Sequence, residues 1–190
     1  MAEVDYRIKI AGFGGQGVLL LGEVLAEAGL EAGYEVSWLP AYGPEMRSGT
    51  SNCQVRISSA PIDSPLVSRP DVLIAMNEPS LRKFLPAVAP DALVLYNGAS
   101  IPEDCARAGV RIFAHPFTEI AGESPKAANM AMLGAFLEIT GALEPEPVAA
   151  ALRKLVKNLR WLDLDLAALQ RGQEALRPVP ALFPPPSFRQ

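Results

Sequence analysis

Four glycines crowd into six residues, Gly12-Phe13-Gly14-Gly15-Gln16-Gly17, and the chain changes character on either side of them. Before them, residues 6–11, with Ile8, Ile10 and Ala11, read as a strand. After them, apolar residues recur at helical spacing over residues 17–32 and stop near Gly33. A strand that passes into a helix through glycine is the opening unit of an α/β fold. Gly12, Gly14 and Gly17 satisfy GxGxxG, a spacing that lets backbone approach a ligand and points helix-terminal amides at anionic oxygens. The same residues also suit a tight turn with no ligand.

A dinucleotide site asks for more, an acid at the end of the second strand about 20 residues on. Here that strand reads Val36-Ser37-Trp38-Leu39 and ends at Pro40, while Glu35 stands at its start. No arginine waits at the strand end for a 2′-phosphate, and no Gly-Lys-Ser/Thr follows the glycines. A stand-alone nucleotide-binding oxidoreductase and a scaffold with a purely structural loop are the two alternative classes of function.

Residues 52–57 alternate, with Cys53, Val55 and Ile57 on one face and Asn52, Gln54 and Arg56 on the other. This predicts a strand at a sheet edge or under a partner. Residues 72–76 and 92–96 are apolar throughout, as strands buried on both faces are, and residues 110–114 complete the set. Between the first two, residues 78–88 suit a short helix interrupted by Pro86. Later the period turns helical: Ser124-Pro125 predicts a start with a hydroxyl cap, and Gly141 a stop. Val148, Ala151, Leu152, Leu155, Val156 and Leu159 form one apolar stripe, and Arg153, Lys154, Lys157 and Arg160 occupy the rest of that helix. The basic face reads as solvated surface, with docking to an acidic partner subunit as the other option. Residues 163–176 form a final helix that the prolines from Pro178 onward cannot continue.

The chain carries 17 basic and 21 acidic side chains, a net charge of −4, and this mild acidity argues against nucleic acid or an anionic membrane as partner. No apolar run approaches the ~18 residues of a membrane span, and the first residues lack the pattern of a signal peptide, so a cytoplasmic location is expected. Cys53 and Cys105 are far from any CxxC spacing, and one histidine, His115, is too few for a multi-histidine centre. No metal ligand and no catalytic residue is expected in this chain. His115 reads as a hydrogen-bonded loop residue, and Asn129 as a group that satisfies buried backbone.

A second cluster, Tyr42-Gly43-Pro44-Glu45-Met46-Arg47-Ser48-Gly49-Thr50, follows the second strand. If the strands are parallel, it shares a sheet edge with the glycine loop. Arg47 either pairs with Glu45 or offers a fork to phosphate or carboxylate, with Thr50, Ser51 and nearby amides as further donors.

Gly12 to Val18, Tyr42 to Arg47, Val55-Arg56-Ile57-Ser58, Pro70-Asp71-Val72-Leu73-Ile74-Ala75 and Asn129-Met130-Ala131-Met132-Leu133-Gly134 together resemble the gamma subunit of 2-oxoacid:ferredoxin oxidoreductases, in order over roughly residues 6–140. Ser48 departs from the glycine usual there, and a serine held at positive φ is strained. The resemblance implies a three-layer Rossmann-like α/β domain over residues 1–177. Its sheet is mostly parallel but mixed and its C-terminal part is helical. Outside these motifs, the proline content of residues 178–190 reads as a Pro-rich arm that clasps its own domain or a neighbour.

It further implies a complex that oxidatively decarboxylates a 2-oxoacid to acyl-CoA, with ferredoxin as acceptor and alpha, beta and in some cases delta subunits as partners. Thiamine diphosphate, magnesium and 4Fe-4S clusters then belong to those partners; this chain alone is inactive, and when isolated it can form a homodimer. It helps form the coenzyme A side of the site, with Gly12, Gly14, Gly15, Gln16, Gly17, Tyr42, Glu45, Arg47, Ser48, Thr50 and Asn129 as candidate contacts. The 42–47 wording leans toward 2-oxoglutarate or a branched-chain oxoacid over pyruvate or arylpyruvates. The residues agree with that division of labour, because two cysteines cannot supply the four thiolates of a cluster and no Gly-Asp-Gly…Asn motif is present.

Overall fold

A computed structural model describes residues 4–41 and 50–177. Strand β1, Asp5–Phe13, runs through the middle of a six-stranded sheet, and Ile8 and Ile10 are fully buried. The other strands are β2 (Glu35–Pro40), β3 (Thr50–Ser58), β4 (Val72–Ala75), β5 (Leu93–Asn97) and β6 (Arg111–His115), in the order β2-β3-β1-β4-β5-β6. β4, β5 and β6 continue parallel from β1, whereas β3 lies antiparallel to both of its neighbours. The sheet is therefore mostly parallel with one reversed strand, as the resemblance implied.

β3 is not the edge strand that its alternation suggested, because β2 flanks it on the outside. Its polar face is matched from within the chain. Lys9 Nζ donates to Asn52 Oδ1 at 2.5 Å, the Val67 amide donates to Gln54 Oε1 at 2.5 Å, and Arg56 donates to the Ser64 carbonyl at 2.9 Å. Arg56 also reaches the buried Asp5 carboxylate at 3.1 Å, which Arg7 holds from the other side at 3.0 Å. Hydrogen-bonded polar groups of this kind sit in the interior without a desolvation penalty that a partner must relieve.

Helix α1 (Val18–Glu31) covers one face with Leu21, Val24, Leu25 and Ala28, all fully buried. Helix α2 (Glu78–Phe84) covers the other, where Leu81 and Leu85 pack with Leu73, Ala75, Val94 and Tyr96. Asn77 caps α2 by accepting from the Ser80 amide at 2.9 Å, and the helix tightens into a 3₁₀ turn over Leu85–Ala87 where Pro86 intervenes, as read from the sequence. Past β6 come α3 (Phe117–Ile120), α4 (Ala128–Thr140), α5 (Pro145–Leu155) and α6 (Leu159–Leu176). The last three join α1 in the larger core, and the Tyr6 hydroxyl ties β1 to α4 by donating to the Thr140 carbonyl at 3.2 Å. Burial at that spot pushes the Tyr6 pKa up to about 12.

Two helix boundaries differ from the sequence reading. Ser124 makes no side-chain cap, and a 3₁₀ turn at Pro125–Ala127 precedes α4; Gly141, at φ 59°, does end it. The apolar stripe that continues to Leu159 is split by extended backbone at Val156, and Asn158 starts α6 by accepting from the Trp161 amide at 3.2 Å. A capping side chain thus decides a boundary that apolar spacing does not mark, and Leu159 ends up 74% exposed. α4 and α6 cross in close contact at glycine: a Cβ on Gly134 would fall on the Leu169 carbonyl and one on Gly172 on that of Ala131.

No described helix is long and apolar enough to cross a membrane. The Pro-rich arm, residues 178–190, lies outside the described residues.

Candidate functional site

The chain leaves β1 toward β2 through α1 on one face of the sheet, and leaves β4 toward β5 through α2 on the other. The carboxyl ends of β1 and β4 therefore flank a topological switch point, where crossovers diverge and a crevice opens. The glycine loop lies there, between β1 and α1.

Its six residues divide into a held set and an open set. A Cβ on Gly12 would lie 2.8 Å from both Met76 Cβ and Val18 Cγ2, so backbone must pass close to β4 there. Gly17 sits in the left-handed region at φ 73°, ψ 22°, and the room of its missing side chain is taken by the Asn129 amide. Asn129, 2% exposed, donates from Nδ2 to the Gly17 carbonyl at 3.1 Å, which is the backbone-satisfying role read for it. Gln16 folds back over the turn: its Oε1 accepts from the Phe13 amide at 2.7 Å and from Asn77 Nδ2 at 2.7 Å, and its Nε2 reaches the Met76 carbonyl at 3.4 Å. Among the described residues, Gly14 and Gly15 have nothing within 4 Å of an added Cβ; Gly15 lies at φ 87°, and neighbouring Phe13 is 39% exposed. Among the described residues no protein group accepts from the Gly14 or Gly15 amide.

The rim continues across β4 and β5 in neutral amides. Asn97, closing β5, donates from Nδ2 to the Met76 carbonyl at 3.3 Å and to Thr118 Oγ1 at 2.9 Å, and its Oδ1 accepts from the Thr118 amide at 3.1 Å. Asn77, Asn97 and Thr118 were not singled out from sequence. The available signal was positional: a polar residue directly after, or closing, a buried parallel strand falls at the crevice end of the sheet.

Thr50 opens β3 opposite Phe13, and the Ala41 amide donates to the Asn52 carbonyl at 3.0 Å, so the chain leaves and re-enters the described structure at this same sheet end. Tyr42, Glu45, Arg47 and Ser48 lie outside the described residues. His115 is the last residue of β6 rather than a loop residue, and its ring meets Phe117 edge-on at 5.9 Å between centroids. Cys53 and Cys105 are buried and unpaired, and burial pushes the Cys53 thiol up to about 12, so it stays protonated near neutral pH. No group of three His, Cys, Asp or Glu side chains gathers to hold a metal among the described residues. Such a site has open backbone donors at a helix N-terminus and amide side chains that fix them. It can bind and orient an anionic group, and among the described residues it carries no acid or base placed to move a proton.

These features define a class, an α/β layer protein with an anion-friendly crevice at its switch point. The chain belongs to the pyruvate ferredoxin/flavodoxin oxidoreductase family, which it matches over residues 7–175. It is 42% identical over 178 residues to the ketoisovalerate oxidoreductase subunit VorA of Methanothermobacter thermautotrophicus, covering 91% of this chain and 37% of that protein. The chain thus spans little more than a third of that relative's length. To the 2-oxoglutarate synthase subunit KorC of Methanocaldococcus jannaschii it is 35% identical, over 90% of this chain and 94% of the relative.

Among solved structures, it resembles the keto/oxoacid ferredoxin oxidoreductase gamma subunit from Geobacter sulfurreducens (TM-score 0.75, 26% identity, 89% of this chain and 96% of that one). It also resembles a 2-oxoglutarate:ferredoxin oxidoreductase from Magnetococcus marinus with 2-oxoglutarate, coenzyme A and succinyl-CoA bound. That match has a TM-score of 0.81 and 27% identity, over 93% of this chain and 32% of that chain. The gamma-subunit resemblance carried by the motifs is borne out.

Proposed function

We propose that this chain works as the gamma subunit of a thiamine-diphosphate-dependent complex that oxidatively decarboxylates a 2-oxoacid to acyl-CoA and passes electrons to ferredoxin. Its part is to pack against the catalytic subunits and to form the coenzyme A side of their site. The observation that carries this reading is the room beside Gly14 and Gly15 among the described residues, in a turn that Gln16 holds through Phe13 at the switch point, in a family with a solved relative that binds coenzyme A. The phosphates of coenzyme A suit helix-terminal amides and the Arg47 guanidinium. Gln16, Asn77 and Asn97 fix the loop before the ligand arrives, which lowers the ordering cost of binding. Phe13 adds an apolar surface that excludes water.

The chain's own residues do not fit the remaining cofactors. Two buried cysteines cannot hold an iron-sulfur cluster, and no metal-diphosphate motif is present. Those groups are assigned to the partner alpha and beta subunits, with residues 1–177 acting as one domain and residues 178–190 as an arm. The relatives named for ketoisovalerate and 2-oxoglutarate favour a branched-chain oxoacid or 2-oxoglutarate as substrate, the two toward which the 42–47 wording leans.

In the complex reconstituted with its other subunits, Arg47→Ala is expected to raise the KM for coenzyme A with assembly intact; unchanged kinetics would leave the loop a purely structural feature. Calorimetry of the purified chain with NAD(P) or flavin is expected to show no binding, and tight binding would revive the stand-alone oxidoreductase.

A further inference from the structure

The start of α6 is built unlike the rest of the described surface. Only six large apolar side chains among the described residues are exposed, and two of them, Leu159 at 74% and Trp161 at 43%, stand within its first turn. The buried stripe of α6, with Leu162, Ala168, Leu169 and Leu176, does not include them. Beside Trp161 runs a groove of about 350 Å³, lined by Glu123, Ser124, Asn158, Arg160, Trp161 and Leu164. Lys126 places its ammonium 5.9 Å from the Trp161 ring centre.

The charge around this turn is also exceptional. Residues 153–160 hold four cations and no acid in a chain whose net charge is −4. Two are matched on their own chain, Arg153 by Glu146 and Lys154 by Glu27. Lys126, Lys157 and Arg160 have no carboxylate partner among the described residues, and Glu123 is the one acid lining the groove. An indole beside a groove, with Lys126 over its ring and Arg160 lining the same groove, has the composition of an interface centre, where aromatic anchors supply most of the affinity and surrounding charge selects and steers the partner.

We propose that the first turn of α6 and the 123–126 segment form a docking surface for an acidic segment of a partner subunit of the same complex, one that seats an apolar side chain against Trp161. This rests on the subunit reading above. The carboxylates of that segment meet Lys126, Lys157 and Arg160, which explains why a basic face persists on an acidic chain.

The test is a binding titration of the purified chain against the co-produced remaining subunits, for the wild type, Trp161→Ser and Arg160→Glu, with thermal unfolding of each variant as a control. Trp161→Ser is expected to weaken binding by roughly tenfold or more, mainly through faster dissociation. Arg160→Glu should slow association severalfold and flatten its salt dependence, with the unfolding temperature unchanged in both. A wild-type chain that binds, with both variants binding equally well, overturns this inference and leaves the subunit reading intact. A wild-type chain that does not bind its partners overturns both. A wild-type homodimer that Trp161→Ser converts to monomer assigns the surface to a second copy and overturns the proposed occupant.

Discussion

Glycine serves opposite purposes at two places in this molecule. At the α4–α6 crossing, the space left by Gly134 and Gly172 is filled by the backbone of the facing helix. In the glycine loop, Gly12 and Gly17 are filled in the same manner, by Met76 and by Asn129, but Gly14 and Gly15 face nothing among the described residues. The same residue type therefore marks packing where protein occupies its missing side chain, and under the proposed function it leaves room for a ligand at Gly14 and Gly15; Gly33 and Gly141, equally open among the described residues, only end helices. GxGxxG spacing does not separate the two, because it joins two held glycines and one open one.

The sharpest way to break that contrast is to add a methyl at each kind of site. Gly172→Ala sets a Cβ against the Ala131 carbonyl, and neither backbone can retreat without parting the helices. A loss of about 3 kcal/mol is expected from denaturant unfolding, overpacking outweighing the better helix propensity of alanine. Gly17→Ala comes next, since it combines positive φ with the Asn129 amide; about 2 kcal/mol is expected. A double-mutant cycle with Asn129→Ala should show the two losses to be non-additive, because the second change removes the clash.

A smaller effect separates packing from charge within α6. Asp165 is 7% exposed, and burial raises its carboxyl pKa to about 6. A carboxyl that titrates higher when folded than when unfolded contributes nothing well below pH 4. It then loses stability as pH rises from its unfolded value to about 6, and the deficit is constant above that. Asp165→Asn should therefore stabilise the chain by about 2 kcal/mol near pH 7 and by almost nothing at pH 3, measured as unfolding free energy against pH. The smallest expected stability change is at Gly14: alanine there should stay within about 0.5 kcal/mol of wild type, since its Cβ meets open space.

The strands were legible because burial on both faces forces uninterrupted apolar runs, as in residues 72–75 and 93–96. Alternation in β3 was legible too, but its location was not. The groups that match its polar face come from Ser64 and Val67, across a connection whose contacts leave no periodic trace. The break at Val156 was hidden because the apolar spacing runs on through it, while the deciding hydrogen bond is a local one from the Trp161 amide to Asn158. At the site, the glycine loop and Asn129 were visible as motifs. Asn77, Asn97 and Thr118 were not, since parallel pairing of β4 and β5 brings them together from 41 residues of separate chain, Thr118 lying that far beyond Asn77.

The most direct test of the open-glycine claim is Gly14→Asp in the assembled complex, with steady-state kinetics in coenzyme A. Since Gly14 has room for a side chain, folding and assembly should be retained while the added carboxylate repels an approaching phosphate. A KM for coenzyme A raised about tenfold with kcat little changed is the predicted result. An unaltered KM in a fully assembled variant would contradict the account.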